Sequence, residues 1–330
     1  MRASARVRAV LCGFFGFLTV GLAAPPAPAV LLYGTPQRNT WAPSGTIYNS
    51  GWQYQGRWGA FLGTPVAPRY FITAGHVGGS VGQTFSYRGK NYTTRASYDD
   101  PNSDLHIWQV DRNFADPIAP IYRGTGEVGK QVVIYGRGSQ RGSDVIVNNQ
   151  RKGWRWGASD GLQSWGTNLV KSVVNGGSGI GSVLFFSFDA TGGRNEGTLS
   201  SGDSGGGTFV NDNGVWKLAG VNFAARGPYS TAGQSDAGFN ASLFDEGGMW
   251  VGQPNHRFFV SDQSANIPGG GYVTRVSADL AWIDSILHKP ALGALPPLTT
   301  DAMTAVPEPG SAALVLVTLA TAFSRRRRTR

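Results

Sequence analysis

Short apolar runs broken by turn residues constrain this chain most. Tyr70 to Thr73, Leu105 to Val110, Gln131 to Tyr135, Val183 to Phe188, Thr208 to Val210 and Val215 to Val221 are each three to seven residues, mostly of β-branched, aromatic or aliphatic character. Gly59 to Leu62 reads as another such run. Glycine, asparagine and serine separate them, and 48 glycines occur in 330 residues. Runs of that length with such punctuation specify strands, and no alternation with helical periods points to crossover helices. One segment reads as helix: Ala278 to Leu287, with Ser277 as N-cap and Leu280, Ile283 and Leu287 on one face. The expectation is an all-β protein with a C-terminal helix.

Within this framework, Gly202-Asp203-Ser204-Gly205-Gly206-Gly207 surrounds a serine with flexible backbone. A serine hydroxyl attacks a carbonyl only if a base takes its proton and backbone N–H groups meet the developing oxyanion, and glycine permits that close approach. Four histidines are available as the base. His76 ends the run Tyr70-Phe71-Ile72-Thr73-Ala74-Gly75-His76, a strand passing into small residues, which is a rigid mount for an imidazole. Asp104 opens Asp104-Leu105-His106-Ile107-Trp108, where a carboxylate at the edge of a buried strand is suited to holding the imidazole tautomer.

These three segments, in the order His, Asp, Ser, resemble the trypsin/chymotrypsin-like serine proteases. Gly271-Tyr272-Val273-Thr274-Arg275-Val276 followed by Trp282-Ile283 resembles that family's last strand and closing helix. The resemblance spans about Trp52 to Leu287. It implies two six-stranded antiparallel β-barrels and a C-terminal helix, with a serine endopeptidase site between the barrels. The change of barrel is expected near Asn113 to Lys130, giving barrel one at about 30–120 and barrel two at about 121–288. The implied roles are Ser204 as nucleophile, His76 as base and Asp104 as its orienting carboxylate, with the Gly202 and Ser204 N–H groups as oxyanion hole. Counting back six from Ser204, as the family's pocket base is placed, gives Thr198, with Phe223 and Ala224 on the pocket wall; the implied preference is for uncharged side chains. Asp203 is the residue that in activated relatives pairs with a freed N-terminal ammonium. Here cleavage after Ala29 would supply Val30. No cofactor or metal is implied, the substrate is a protein or peptide, and the enzyme is expected to be a monomer.

Other readings of these residues stay open. Gly202-x-Ser204-x-Gly206 also satisfies the esterase elbow, with His256 and His288 downstream, although a strand rather than a helix follows the serine. A protease-like surface module serving adhesion or matrix binding is a third reading. Asp100-Pro101-Asn102-Ser103-Asp104 has the look of a calcium loop, but position six is Leu105 and no glutamate stands at position twelve. Arg151-Lys152-Gly153-Trp154-Arg155-Trp156 interleaves cations with aromatics as a single-strand nucleic-acid binder would, and reads better as a solvated loop.

Both ends of the chain read as addresses. Residues 1–29 carry Arg2, Arg6 and Arg8, an apolar run from Ala9 to Ala24, and Ala27-Pro28-Ala29, the pattern of a secretory signal removed by signal peptidase. Residues 306–330 carry Pro307-Glu308-Pro309, a short apolar stretch and an arginine cluster. They resemble the PEP-CTERM tail that an exosortase recognises in Gram-negative bacteria; a simple membrane anchor with an arginine stop is the alternative. Residues 289–305 read as an extended linker. This implies transient anchoring in the inner membrane and a final place at the cell surface or outside the cell.

The formal charge of +9 is concentrated in these ends, and about +2 remains on the folded part, so the basic balance gives no nucleic-acid partner. The only cysteine, Cys12, lies in the signal, so the folded part has no disulfide. Where relatives brace the pocket with one, this chain has Ser200. Ala224 to Gly270 is longer than in compact relatives, with Phe239 to Val251 and Phe258 to Val260 as an added hairpin or flap.

Overall fold

The computed structural model describes residues 30–289. The expected signal, and all but the first residue of the expected linker and tail, lie outside them.

Six strands close into an antiparallel barrel in the spatial order Gly56–Trp58, Phe61–Ala67, Tyr70–Ala74, Leu105–Val110, Lys90–Asp99 and Thr84–Tyr87. Arg57 pairs with Ser86 to complete the ring. Tyr70–Ala74 and Leu105–Val110 are buried along their whole length, the polar His106 and Gln109 included. The barrel is filled by aromatic rings, among them Trp58, Phe71, Phe85, Tyr92 and Trp108, with Phe71 and Phe85 stacked at 3.9 Å. The run expected at Gly59 to Leu62 is divided: Gly59, at φ +57°, belongs to the turn between the first two strands.

Past residues 111–130, which carry no strand, a second antiparallel sheet runs in the order Ser164–Leu169, Gln131–Gly136, Gly207–Asp212, Val215–Ala225, Gly270–Arg275, Ser182–Ser187 and Ser172–Asn175. Its two edge segments are consecutive in sequence, separated only by Val170 and Lys171, so one bent stretch serves both edges and rolls the sheet into a second six-membered barrel. Between the barrels, Leu62, Ile72, Leu105 and Ile107 of the first pack with Tyr135, Phe209 and Val221 of the second. Each such buried side chain contributes on the order of 1.5–3 kcal/mol. The shared core fixes the distance between the two halves of the site.

The helix occupies Leu280–Leu287, two residues shorter than the periodicity predicts, because Val276–Ala278 form a tighter 3-10 turn. Ser277 is not its N-cap: its hydroxyl donates to the buried Glu127, which also binds Arg275. The 151–156 segment is not a solvated loop. Gln150–Trp156 is a strand between Arg141–Val147 and Ala241–Leu243, in a small sheet that joins a long hairpin of barrel two to the added segment. Lys152 is buried there, its ammonium donating to Asp245 at 2.5 Å and Asp262 at 2.7 Å. The rest of the added segment forms a second small sheet from Tyr229–Ser230, Met249–Val251 and Phe258–Val260.

Candidate active site

His76 stands in the one-turn 3-10 segment Gly75–Val77, directly beyond the buried Tyr70–Ala74 strand. Asp104 precedes the neighbouring strand, and its backbone and side chain both grip the turn. Gly75 N–H donates to Asp104 O at 2.6 Å, and His76 N–H donates to Asp104 Oδ1 at 2.9 Å. The other carboxylate oxygen, Oδ2, lies 2.7 Å from His76 Nδ1. That contact assigns the proton to Nδ1 and leaves Nε2 as an acceptor. Nε2 is 2.8 Å from Ser204 Oγ. His76 therefore bridges the two barrels, hydrogen-bonded to a carboxylate of the first and a hydroxyl of the second. The Phe223 ring meets the imidazole edge-on at 5.8 Å and walls one side.

The serine loop depends on its glycines at two points. Gly205 has φ +75°, and a Cβ there would fall 2.2 Å from Thr73 Oγ1 and 2.5 Å from Leu62 O. Gly202 has φ +95° and lies against Arg137 and Gly138. The N–H groups of Gly202 and Ser204 have no acceptor among the described residues, so they are free for a developing oxyanion.

Asp203 is buried. Its Oδ1 accepts from Gly138 N–H at 2.8 Å and Val30 N–H at 3.3 Å, and its Oδ2 accepts from Ser200 N–H at 2.8 Å and Ser200 Oγ at 2.9 Å. Burial pushes its carboxyl up to about 6, against the hydrogen bonds that favour the anion. No cation among the described residues pairs with it. Val30 itself is fully buried at φ +33°, a backbone conformation that a β-branched residue rarely adopts.

The cavity beside Ser204 measures about 330 Å³ and is walled by Phe61, Trp156, Leu199, Phe223, Ala224 and Asn240, with Ser200 and Ser201 beside the serine loop. Phe223 and Ala224, expected on a pocket wall, line this cavity. Thr198 does not. It is buried in a two-stranded ladder opposite Leu31, and Leu199 lines the cavity in its place. Counting along the chain missed this because the Val30–Leu32 segment claims Thr198 for backbone pairing. Trp156 and Asn240 were also missed. They meet through Trp156 N–H donating to Asn240 O at 3.1 Å, a contact between hairpin and added segment that nothing local announces.

The remaining candidates lie apart from Ser204. His106 is buried, with Nδ1 2.6 Å from Asp99 Oδ1 and its ring against Trp108. His288 contacts the Asp284 carbonyl at the helix end. The Asp100 carboxylate accepts from Asn102 N–H and Ser103 Oγ within its own turn. The segment after Ser204 is the strand Gly207–Asp212, not the helix an esterase elbow requires.

Two packed antiparallel barrels, a closing C-terminal helix and a serine, histidine and aspartate at their junction define a chymotrypsin-like fold. Among solved structures, the chain is similar to neuropsin, a serine protease expressed in the limbic system of mouse brain, at 13% identity and a TM-score of 0.42, over 71% of this chain and 94% of that one. No protein-family profile and no curated protein matches the chain.

Proposed function

We propose that this protein is an exported serine endopeptidase of the trypsin/chymotrypsin-like family. The observation that carries the reading is the continuous hydrogen-bonded line from Asp104 through His76 to Ser204, with contacts of 2.7 and 2.8 Å. Ser204 Oγ attacks the scissile carbonyl while His76 Nε2 takes its proton. The oxyanion is held by the Gly202 and Ser204 N–H groups, and Asp104 stabilises the imidazolium. His76 then protonates the leaving amine, so the C–N bond breaks and the acyl group stays on Ser204. Water, deprotonated by the same imidazole, releases the acid and restores the serine.

The cavity walls favour an uncharged side chain beside the scissile bond. Asp203 borders the cavity, but both its oxygens are engaged below the surface.

The same geometry supports a maturation step. Cleavage after Ala29 gives Val30 an ammonium group 3.3 Å from Asp203 Oδ1, supplies the cation that this buried carboxyl lacks, and removes the φ restriction at Val30. In this proposal residues 1–29 export the chain, and residues 306–330 hold it briefly in the inner membrane and deliver it to the surface.

The test is casein cleavage by the secreted protein beside Ser204→Ala. Loss of cleavage in the variant supports the reading. Fluorophosphonate labelling without any peptide hydrolysis would favour an esterase or adhesive role.

A further inference from the structure

Arg226 is the one guanidinium placed at the end of the strand that borders the cleft, and the proposed peptidase chemistry gives it no task. Its Nε donates to both oxygens of the buried Glu246, at 2.7 and 2.9 Å, and Tyr229 Oη donates to the same carboxylate at 3.0 Å. The side chain is therefore fixed. Its terminal Nη1 and Nη2 atoms have no acceptor among the described residues, and the side chain keeps 26% of its surface exposed. A guanidinium presents its donors as a rigid planar fork suited to a carboxylate.

The surroundings suit these donors to a ligand. Arg226 borders a narrow recess of about 30 Å³, walled by Val251, Gly252, Gln253 and Phe258 of the added segment. That volume suits about two waters or a small planar anion rather than a bulky apolar group. A second buried guanidinium stands behind the wall: Arg257 Nε donates to Gly252 O at 2.8 Å, and its other hydrogen bonds go to backbone carbonyls. Against these two cations the recess has the Glu246 carboxylate. Asp245 and Asp262 share Lys152, and Asp236 lies near Arg257 while accepting from Ser230 and its own loop. Among the described residues, Arg226 is the only charged one that lines the recess itself, which suits the recess to an anion.

The recess adjoins the cleft. Phe223, Ala224 and Ala225 border both. One edge of this stretch pairs with Gly271 and Tyr272. The opposite edge loses its partner strand after Val221, and Asn222 is bonded to the serine loop through Gly205 N–H and Gly206 O. An extended peptide added antiparallel to this free edge, with its scissile bond at Ser204, would run from Asn222 toward Arg226. Four residues at about 3.3 Å each carry it there.

We propose that this recess reads a carboxylate on the fourth or fifth substrate residue before the scissile bond, with Arg226 as the specificity-determining group. The inference rests on the endopeptidase reading and adds the substrate class: peptides with an acidic residue upstream of an uncharged one at the cleavage point.

The test uses the secreted protein and quenched peptides that differ only in carrying Glu, Gln or Lys at the fourth or fifth position. The expected order of kcat/KM is Glu over Gln over Lys, with Glu over Gln by about tenfold, the scale of one charge-assisted hydrogen bond. Arg226→Gln combined with Glu246→Gln, which leaves no buried charge unpaired, should bring that ratio near one. If the double variant fails to fold, the wild-type ratio should still shrink as salt rises from about 50 to about 500 mM. Equal cleavage of Glu and Gln peptides by enzyme that labels with fluorophosphonate overturns the inference alone, as does a ratio unmoved by the double variant or by salt. Enzyme that neither labels nor cleaves any of the peptides overturns the endopeptidase reading and this inference with it.

Discussion

The two barrels supply the site in different ways. In the first, His76 and Asp104 are carried by adjacent, fully buried strands, and their mutual contacts are made within one unit over 28 residues of chain. In the second, Ser204 sits in a loop whose shape depends on Asp203, and Asp203 depends on Val30, 173 residues away. The hairpin of the small added sheet also holds that N-terminal stretch, with Arg141 donating to the carbonyls of Leu32 and Tyr33 while stacking over Trp154 at 3.7 Å. His76 is held within one unit of the fold, whereas the serine loop and the cleft wall are assembled from segments that must dock.

The largest effects should come from breaking the line between the barrels. Ser204→Ala or His76→Ala should lower kcat by about 10⁶, and Asp104→Asn by about 10⁴, with thermal unfolding little changed. Steady-state kinetics beside a melting curve checks this. A variant that loses activity only because it unfolds would remove the distinction.

Next comes the assembled side. Lys152→Met leaves Asp245, buried, without its cation, and should cost about 3–5 kcal/mol in denaturant unfolding. Because Trp156 and Asn240 meet in the same sheet, surviving enzyme should also show altered side-chain preference beside the scissile bond. Unchanged preference in folded Lys152→Met would mean that the added sheet does not shape the cleft.

The role of Val30 is open to a pH test. Burial raises Asp203 from 3.8 to about 6, so in a form retaining residues before Val30 the folded state holds a proton that the unfolded chain has lost. Its stability should therefore fall as pH rises from about 4 through 6, by at most about 3 kcal/mol. A form beginning at Val30 should lack that fall, because its ammonium favours the carboxylate. Urea unfolding of both forms at the two ends of this range separates the cases, and identical pH profiles would contradict the pairing.

A smaller effect compares single methyl groups on the two sides. Gly205→Ala drives a Cβ into Thr73 and Leu62 O, and should cost about 10² in kcat/KM by displacing Ser204. Gly78→Ala, near His76 at φ +65° and ψ −159° with nothing within 4 Å, adds only backbone strain of about 1–3 kcal/mol and should cost less activity. Equal losses would blur the contrast.

The sequence made the built side legible and left much of the assembled side hidden, for a physical reason. His76, Asp104 and Ser204 each announce themselves through their own flanking residues, a strand end or a glycine turn. The cleft wall depends on pairings that no local pattern records. Lys152 reads as exposed because it is charged, yet its carboxylate partners lie 93 and 110 residues further on. Thr198 reads as a pocket base by counting, yet Leu31 takes it into a ladder. Asp203 differs on that side: the stretch beginning at Val30 is the segment expected near it, and the Val30 N–H donates to its Oδ1.

The central claim is that Ser204, activated by His76, is the nucleophile. Intact mass and peptide mapping after fluorophosphonate treatment test it most directly. A single adduct on Ser204, formed by wild type and absent from folded Ser204→Ala and His76→Ala, is the predicted result; no adduct on correctly processed wild-type protein, or one on another residue, would contradict it.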